Sequence, residues 1–386
     1  MFNATKNPTN PTYELFFVFL VRINKIRDKM HHIKKLEKLP PKRENVETIG
    51  ILRQLSKSSK ALGELKGIAQ TMPNQAMLAN AVVLQEAKDS SEIENIITTQ
   101  DELYKALATK TKQTSQVKEV INYRKAIFLG HELLKKQGFL RLKDIEFLQK
   151  TIIENNAGIR SMPGTVLKND KTEKIVYTPP QEKDEILDLL GNFLDHFNIV
   201  EDDFPPLINL AILHYQFESI HPFYDGNGRT GRILNILYLI INDLLDIPIL
   251  YLSSYINEHK SDYYRLLNKV NKTGEWEEYI LYILKAIEVT SNRTIAKINA
   301  IKNLLLETIQ IAREKEPKIY RKELIELLFE QPYSKIESVV EKLNVERKAA
   351  SRYLKKMEEI GIITSQKIGR ENIYVNKKLI EILKKH

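Results

Sequence analysis

His221-Pro-Phe-Tyr-Asp225-Gly-Asn-Gly-Arg229-Thr-Gly-Arg232 is the stretch on which the reading of this chain turns. Before it, following Pro205-Pro206, Leu207–Ser219 is a mostly apolar helical run, and after it the chain is apolar again through Ile233–Leu250. The segment therefore reads as a loop feeding a helix that begins near Gly228. Gly226-Asn-Gly228-Arg-Thr-Gly231 also fits the G-x-G-x-x-G pattern of a dinucleotide-binding turn. That pattern requires a preceding strand and a surrounding βαβ unit, and this segment has helix before it and no strand within reach after it.

The residue types suit chemistry on phosphates. Glycines let main-chain N–H groups approach a ligand closely, and a helix N-terminus offers unpaired donors and partial positive charge to an anion. Arg229 and Arg232 lie three apart on one helical face, where planar guanidinium groups can grip phosphate oxygens. Asp225 supplies a hard carboxylate oxygen for a phosphate-bound Mg²⁺ (or Mn²⁺). His221, with a near-neutral reference pKa, suits a general base.

The segment resembles the Fic (Fic/Doc) family motif HPFx(D/E)GNGRxxR at every specified position. The resemblance implies a mostly α fold: a Fic-type helical core with a short β-hairpin flap and an N-terminal helical region. It implies a protein adenylyltransferase that moves AMP from ATP to a Ser, Thr or Tyr hydroxyl of a target protein. Carried over by position, His221 is the base and Asp225 the metal ligand. Gly226, Asn227, Gly228, Arg229 and Arg232 bind the phosphates of ATP, and Phe223 anchors the loop. Other chemistries of the family stay open, namely removal of AMP or transfer of UMP or phosphate.

One class in the family carries an inhibitory (S/T)xxxE(G/N) pattern, and Ser90-Ser-Glu-Ile-Glu94-Asn95 matches it through Ser90, Glu94 and Asn95. The resemblance implies that Glu94 pairs with Arg232 and leaves ATP misaligned. Read from residues alone, Ser91-x-x-Glu94 is also a capping box that would begin a helix. Thr165, Val166, Leu167 and Lys168 resemble the target-holding flap, with Lys174–Tyr177 as the pairing strand. Tyr251, Asn257, Tyr263 and Tyr264 are candidates for an adenine pocket, although aromatics at helical spacing usually pack in a core. His214, on the apolar helix, reads as a packed residue, and His31-His32 has no partner ligands nearby in sequence.

The chain has 386 residues, no cysteine and a formal net charge of +9. Disulfides and thiolate chemistry are excluded, which suits a reducing cytoplasm. The Lys/Arg excess sits at the two ends, 1–43 and 318–386, and the middle is slightly acidic. Leu15–Val21 is too short to span a membrane, and the Ile233–Leu250 run carries Asn235, Asn242, Asp243 and Asp246, so no membrane partner is expected. Met30 is an alternative start.

The organisation expected is a basic leader over 1–44, a helical region with the inhibitory motif over 45–125, a catalytic core over 126–290 and a linker helix over 291–317. The last part, 318–386, reads as a winged helix-turn-helix domain of three helices and two strands around Gly369-Arg370-Glu371. Arg347, Lys348, Arg352, Lys355 and Lys356 put positive charge on its third helix. That module could dock DNA, another protein or a second copy as a homodimer. A different class of function follows if the core only senses nucleotide for a DNA-binding regulator, a role for which an intact His221 and Asp225 would be unnecessary.

Overall fold

The structure is a computed structural model that describes residues 35–109, 113–168, 173–199, 204–368 and 371–384. Most of the basic leader, with Leu15–Val21, Met30 and His31-His32, lies outside these residues, as do Gly369 and Arg370 of the wing tip. No helix among the described residues is long and apolar enough to cross a membrane.

The fold is mostly helical, as the sequence predicts, with two small antiparallel sheets. Val46–Leu107 forms three helices, α1 (Ile49–Gln70), α2 (Gln75–Ile93) and α3 (Gln100–Ala108). Each has a side-chain N-cap: Thr48 accepts from Ile51, Asn74 from Ala76, and Thr99 from Glu102 in a full capping box. These caps satisfy donors that a helix start leaves unpaired. Next come α4 (Ser115–Gln137), closed by left-handed Gly138, and α5 (Leu142–Ile153).

The hairpin pairs β1 (Leu167–Lys168) with β2 (Ile175–Tyr177); the first strand starts two residues after Thr165 and the second one residue after Lys174. After it come α6 (Lys183–Asn198), α7 (Pro206–Ile220) and α8 (Asn227–Ile241). Pro206 opens α7 at a position where its missing N–H costs nothing. Both α7 and α8 are buried on nearly every side, the mark of a central helix. α8 is packed by α7, α4, α5 and α2, so the residues at its N-terminus are fixed from several directions. It stops at Ile241, short of the apolar run ending at Leu250, with Asn242 as C-cap.

Where the sequence suggests one helix around 257–271, the structure has two, α9 (Leu252–Glu258) and α10 (Lys260–Thr273). The reverse holds further on. The sequence suggests one helix around 275–290 and the linker helix over 291–317; the structure makes them one continuous element, α11 (Glu277–Lys315), which packs along α1.

The C-terminal part has α12 (Lys322–Glu330), β3 (Tyr333–Ser334), α13 (Ile336–Leu343), α14 (Arg347–Glu359), β4 (Thr364–Ile368) and β5 (Glu371–Val375). Three helices and a hairpin occur in the expected order, with β3 added as a third strand beside β5. A closing helix not expected from sequence, α15 (Lys377–Lys384), packs on α11. The module is seated on the N-terminal helices. Gln100 Nε2 and Lys297 Nζ both donate to the Leu383 carbonyl, at 3.2 and 3.3 Å. Tyr333 stacks on Tyr104, with ring centroids 5.7 Å apart.

Because α8 is held by its packing, Leu237→Ala, at a fully buried position, is expected to cost about 2–5 kcal/mol. Leu306→Ala, on the exposed side of α11, should stay within about 0.5 kcal/mol. Denaturant midpoints of the two variants check this; similar losses would show that α8 is not a core element.

Candidate active site

α7 ends on His221, which takes left-handed backbone angles, φ 49° and ψ 58°, and donates its N–H to the Phe217 carbonyl at 3.0 Å. Phe223 is completely buried. The Asn227 side chain braces the turn: Oδ1 accepts from the Phe223 N–H at 2.8 Å, and Nδ2 donates to the Phe223 carbonyl at 2.7 Å. Its amide is thus committed to the loop, and any share it has in holding an anion falls to its main-chain N–H. Gly226 caps α8 at φ 82°, where a Cβ would come 2.8 Å from Ile153 Cγ1. Glycine is required there on both counts.

The first turn of α8 presents the unpaired donors of a helix start. Arg229 is buried, and Nη1 donates to Glu119 Oε2 at 2.9 Å, with Asp225 Oδ1 3.4 Å from Nη2. Arg232 is also buried. Nε donates to Ser90 Oγ at 2.7 Å, and Nη2 donates to the Ser90 carbonyl at 2.9 Å and to Glu94 Oε1 at 2.8 Å. Gly228 stands beside this pair: a Cβ would run into Glu94 Oε1 and lie 2.9 Å from Arg232 Nη1.

The capping-box reading of Ser91-x-x-Glu94 is corrected by this arrangement. Ser90 and Ser91 lie in the last turn of α2, and Glu94 is its C-cap. Asn95 follows at φ 62°, a conformation that asparagine adopts more readily than most residues. The pattern therefore ends a helix, and the end of that helix carries Glu94 to Arg232.

The electrostatics follow from burial around one cation. Burial alone would raise the Glu94 carboxyl, but the Arg232 charge and hydrogen bond, with Arg229 and Lys260 further off, hold it below its ordinary value. Desolvation opposes the charge on Arg232, yet Glu94 and other acidic groups nearby raise its pKa. Two further acids surround it. Glu218 is pushed up to about 7 by burial, against the Arg232 charge. Glu86 is likewise pushed up to about 7 by burial, and it accepts hydrogen bonds from Tyr123 and Ser253. His221 is pushed down to about 4, first by burial and then by the Arg160 charge. Its imidazole is thus neutral near pH 7, the form that accepts a proton.

Asp225 is the candidate metal ligand. Its side chain is 63 % exposed, and the Gly226 N–H donates to Oδ1 at 2.6 Å. Among the described residues no group of three or more His, Cys, Asp or Glu could hold a metal ion. One exposed carboxylate fits an Mg²⁺ that takes its other ligands from water and substrate phosphates.

The flap and adenine-pocket candidates fare differently. Thr165, Val166, Leu167 and Lys168 lead into and form β1 of the hairpin, and the Tyr177 hydroxyl ties β2 to the Ser219 carbonyl at 3.0 Å. Of the four candidates for the adenine pocket, Tyr263 and Tyr264 meet edge to face, with ring centroids 5.2 Å apart. Tyr251 is buried with its ring 5.3 Å from Lys297 Nζ, and Asn257 Nδ2 donates to the Asp89 carbonyl at 2.7 Å. Tyr263 is buried, its hydroxyl 2.8 Å from His214 Nε2, which leaves Tyr264 as the most exposed of them. His214 is packed as expected.

Residues not singled out from sequence also shape the site. Glu119 and Glu86 sit on helices remote in sequence, and nothing in their local pattern marks them. Glu218, an acid near the end of an apolar helix, was visible as an exception to that pattern. Arg160 lies in the turn-rich Gly158–Gly164 segment and bonds to the carbonyls around His221.

Comparison with known proteins adds three family matches. Residues 52–132 match the Fic/DOC family N-terminal domain, 139–239 the Fic/DOC family domain, and 304–379 the C-terminal domain of "Protein adenylyltransferase SoFic-like". The chain is 25% identical over 189 residues to "Protein adenylyltransferase Fic" of Aedes aegypti, covering 48% of this chain and 35% of that protein. It is 26% identical over 133 residues to "Protein adenylyltransferase fic-1" of Caenorhabditis elegans, 34% of this chain and 24% of that one. The matches thus span about a third or less of these relatives. Among solved structures, a Fic family protein from Desulfovibrio desulfuricans G20 superposes with a TM-score of 0.56 at 18% identity, over 87% of this chain and 98% of that one. Fic-1 from C. elegans does so with a TM-score of 0.50 at 20% identity, over 64% and 74%. At these identities the structures speak for the fold.

Gly228→Ala is expected to destabilise the protein by about 1–3 kcal/mol through overpacking. The loss should be smaller in a Glu94→Gly background, where one of the clashing groups is gone. A double-mutant cycle on denaturant midpoints measures the difference; equal losses in both backgrounds would contradict the contact.

Proposed function

Since the chain belongs to the Fic/DOC family, we propose that it is a protein adenylyltransferase held in check by its own Glu94. The observation that carries the reading is the Arg232–Glu94 pair at 2.8 Å, at the start of a buried helix whose N-terminus suits phosphate. A carboxylate stands where an outer phosphate of ATP would be gripped.

In this reading ATP lays its phosphates across the main-chain donors of Gly226, Asn227 and Gly228, with Arg229 and Arg232 on the outer phosphates. Asp225 holds Mg²⁺ (or Mn²⁺), which supplies charge neutralisation on the phosphates. A target segment adds as a strand beside Thr165–Lys168 and brings a Ser, Thr or Tyr hydroxyl to His221. The neutral imidazole takes the hydroxyl proton as the oxygen bonds to the α-phosphorus. The bond from that phosphorus to the bridging oxygen breaks, and pyrophosphate leaves. While Glu94 occupies Arg232, the outer phosphates cannot settle there and the α-phosphate is out of line, a loss of positioning that costs much of the rate. Among Tyr251, Asn257, Tyr263 and Tyr264, the exposure of Tyr264 suits a base contact best.

Intact-mass analysis after incubation with ATP·Mg²⁺ tests this. An AMP adduct should grow at least tenfold faster in Glu94→Gly than in wild type and vanish when His221→Ala is added. A reacting group misplaced by about 1 Å costs about 100-fold, so tenfold is the lower bound. Equal adduct in wild type and Glu94→Gly would remove the brake, and a phosphate or UMP adduct with the matching nucleotide would replace the AMP chemistry.

The exposed side of α14 favours a second binding function in the same chain. Lys348, Arg352 and Lys355 are exposed at spacing i, i+4, i+7, a basic stripe suited to the phosphates of duplex DNA. In a mobility-shift titration with random duplex, Arg352→Ala should weaken binding across sequences and reduce the salt slope by about 1. No shift in wild type even at low salt would leave the stripe as a protein-docking or solubility feature.

A further inference from the structure

Arg160 is fully buried, and the partners it reaches are main-chain carbonyls rather than a carboxylate. Nε donates to the His221 carbonyl at 2.7 Å, and Nη2 donates to the Ile220 carbonyl at 3.2 Å and to the Pro180 carbonyl. Its own main-chain N–H donates to the Pro222 carbonyl at 2.9 Å. Ile159 bridges antiparallel to Phe223, and the Tyr224 hydroxyl accepts from the N–H groups of Ser161 and Met162, at 3.0 and 3.2 Å. Residues 159–162 therefore run beside 220–224 and lace the loop from end to end.

His221 needs such a support. It is a non-glycine residue in the left-handed region, which is strained unless its surroundings fix it. A helix end also leaves carbonyls without donors, and here the carbonyls of Ile220 and His221 point to one guanidinium. The rigid planar fork of arginine can serve three oxygens at once; the single ammonium of lysine cannot reproduce that geometry. The third oxygen matters most for function. Pro180 lies just beyond β2, at the root of the hairpin, and the Tyr177 hydroxyl of β2 is tied to Ser219 of α7. One side chain thus joins the root of the hairpin to the backbone of the histidine.

We propose that Arg160 is a positioning residue that locks the His221 backbone to the root of the target-binding hairpin, so that base and target segment move as one unit. This rests on the reading of His221 as the base. The charge of Arg160 has a second effect: after burial itself, it is the larger influence holding the His221 imidazole below its ordinary value. The sign is fixed. Removing the charge raises the pH at which the ring protonates, and replacing arginine by lysine keeps the charge but loses the fork.

Two readouts on the full chain test the proposal, both in a Glu94→Gly background. The first is the rate of AMP adduct formation at saturating ATP as a function of pH. Arg160→Lys and Arg160→Gln should each lower the maximal rate about 100-fold, the cost of misplacing a reacting group by about 1 Å, with KM for ATP little changed. The acid limb should move up in Arg160→Gln, though burial still holds it below the ordinary histidine value of about 6.5, and stay in place in Arg160→Lys. The second readout needs no activity: the His221 imidazole is titrated by NMR in both variants. An upward shift in Arg160→Gln alone, together with the rate losses, supports the clamp. Unchanged rates in a folded Arg160→Lys variant overturn it, as does a loss confined to KM for ATP. If Arg160→Gln does not fold, the rate and KM split of Arg160→Lys decides. If the Glu94→Gly parent itself forms no adduct, the adenylyltransferase reading fails. The NMR titration then judges the contact alone, and an unshifted His221 in Arg160→Gln overturns it.

Discussion

A guanidinium removed from water must be paired, or the protein bears the desolvation of a bare charge. Arg232 is that charge here, and the elements around it are arranged to meet the requirement. The last turn of α2 brings the hydroxyl and carbonyl of Ser90 and the carboxylate of Glu94. α7 brings Glu218, and Glu86 stands one helical turn back on α2 with its own donors from Tyr123 and Ser253. α8 cannot be displaced without stranding this cation, so the packing of α2, α4, α5 and α7 about it is both an apolar and an electrostatic necessity.

The same burial sorts the acids by role. Glu94 stays charged because it touches the cation directly, whereas Glu86 and Glu218 sit close by with pKa values raised to about 7. One buried positive charge thus supports one strong carboxylate partner and two whose charge is costly. On the far side of α2 the C-terminal module adds its own hold. Gln100 bonds both Gln85 and the Leu383 carbonyl, and Gln85 bonds Asp89, the neighbour of Ser90. The helix end that reaches Arg232 is therefore braced from behind by the last helix of the chain.

Much of this was legible in the sequence because the loop is a compact local pattern. Glycines at a helix start, two arginines three apart and a histidine before the turn keep their meaning wherever the chain goes. The pairing of Ser90 and Glu94 with Arg232 was legible only through family resemblance. From local pattern alone the same residues suggested a helix beginning, and they are in fact a helix ending. Glu119 and Arg160 escaped because their partners lie far along the chain or are main-chain carbonyls, which no side-chain pattern announces. The continuous α11 escaped for another reason: Thr290, Ser291 and Thr294 look like a break. In the structure the hydroxyls of Thr290 and Thr294 bond back into their own helix, to Ala286 and Thr290. The one-helix reading of 257–271 failed in the opposite sense, since the break falls at His259, where no glycine or proline announces it.

The room left beside Gly228 has a further meaning. The missing Cβ that would let a phosphate come close is filled in this structure by a carboxylate belonging to the chain itself. Such an occupant is a tethered competitor. Its effective concentration is set by the chain that carries it, on the order of millimolar or more for short connections, and does not change when the protein is diluted. Release therefore cannot come from lower protein concentration. It must come from a ligand whose added contacts outweigh the tether, or from a shift of the α2 end that lowers the local concentration of Glu94.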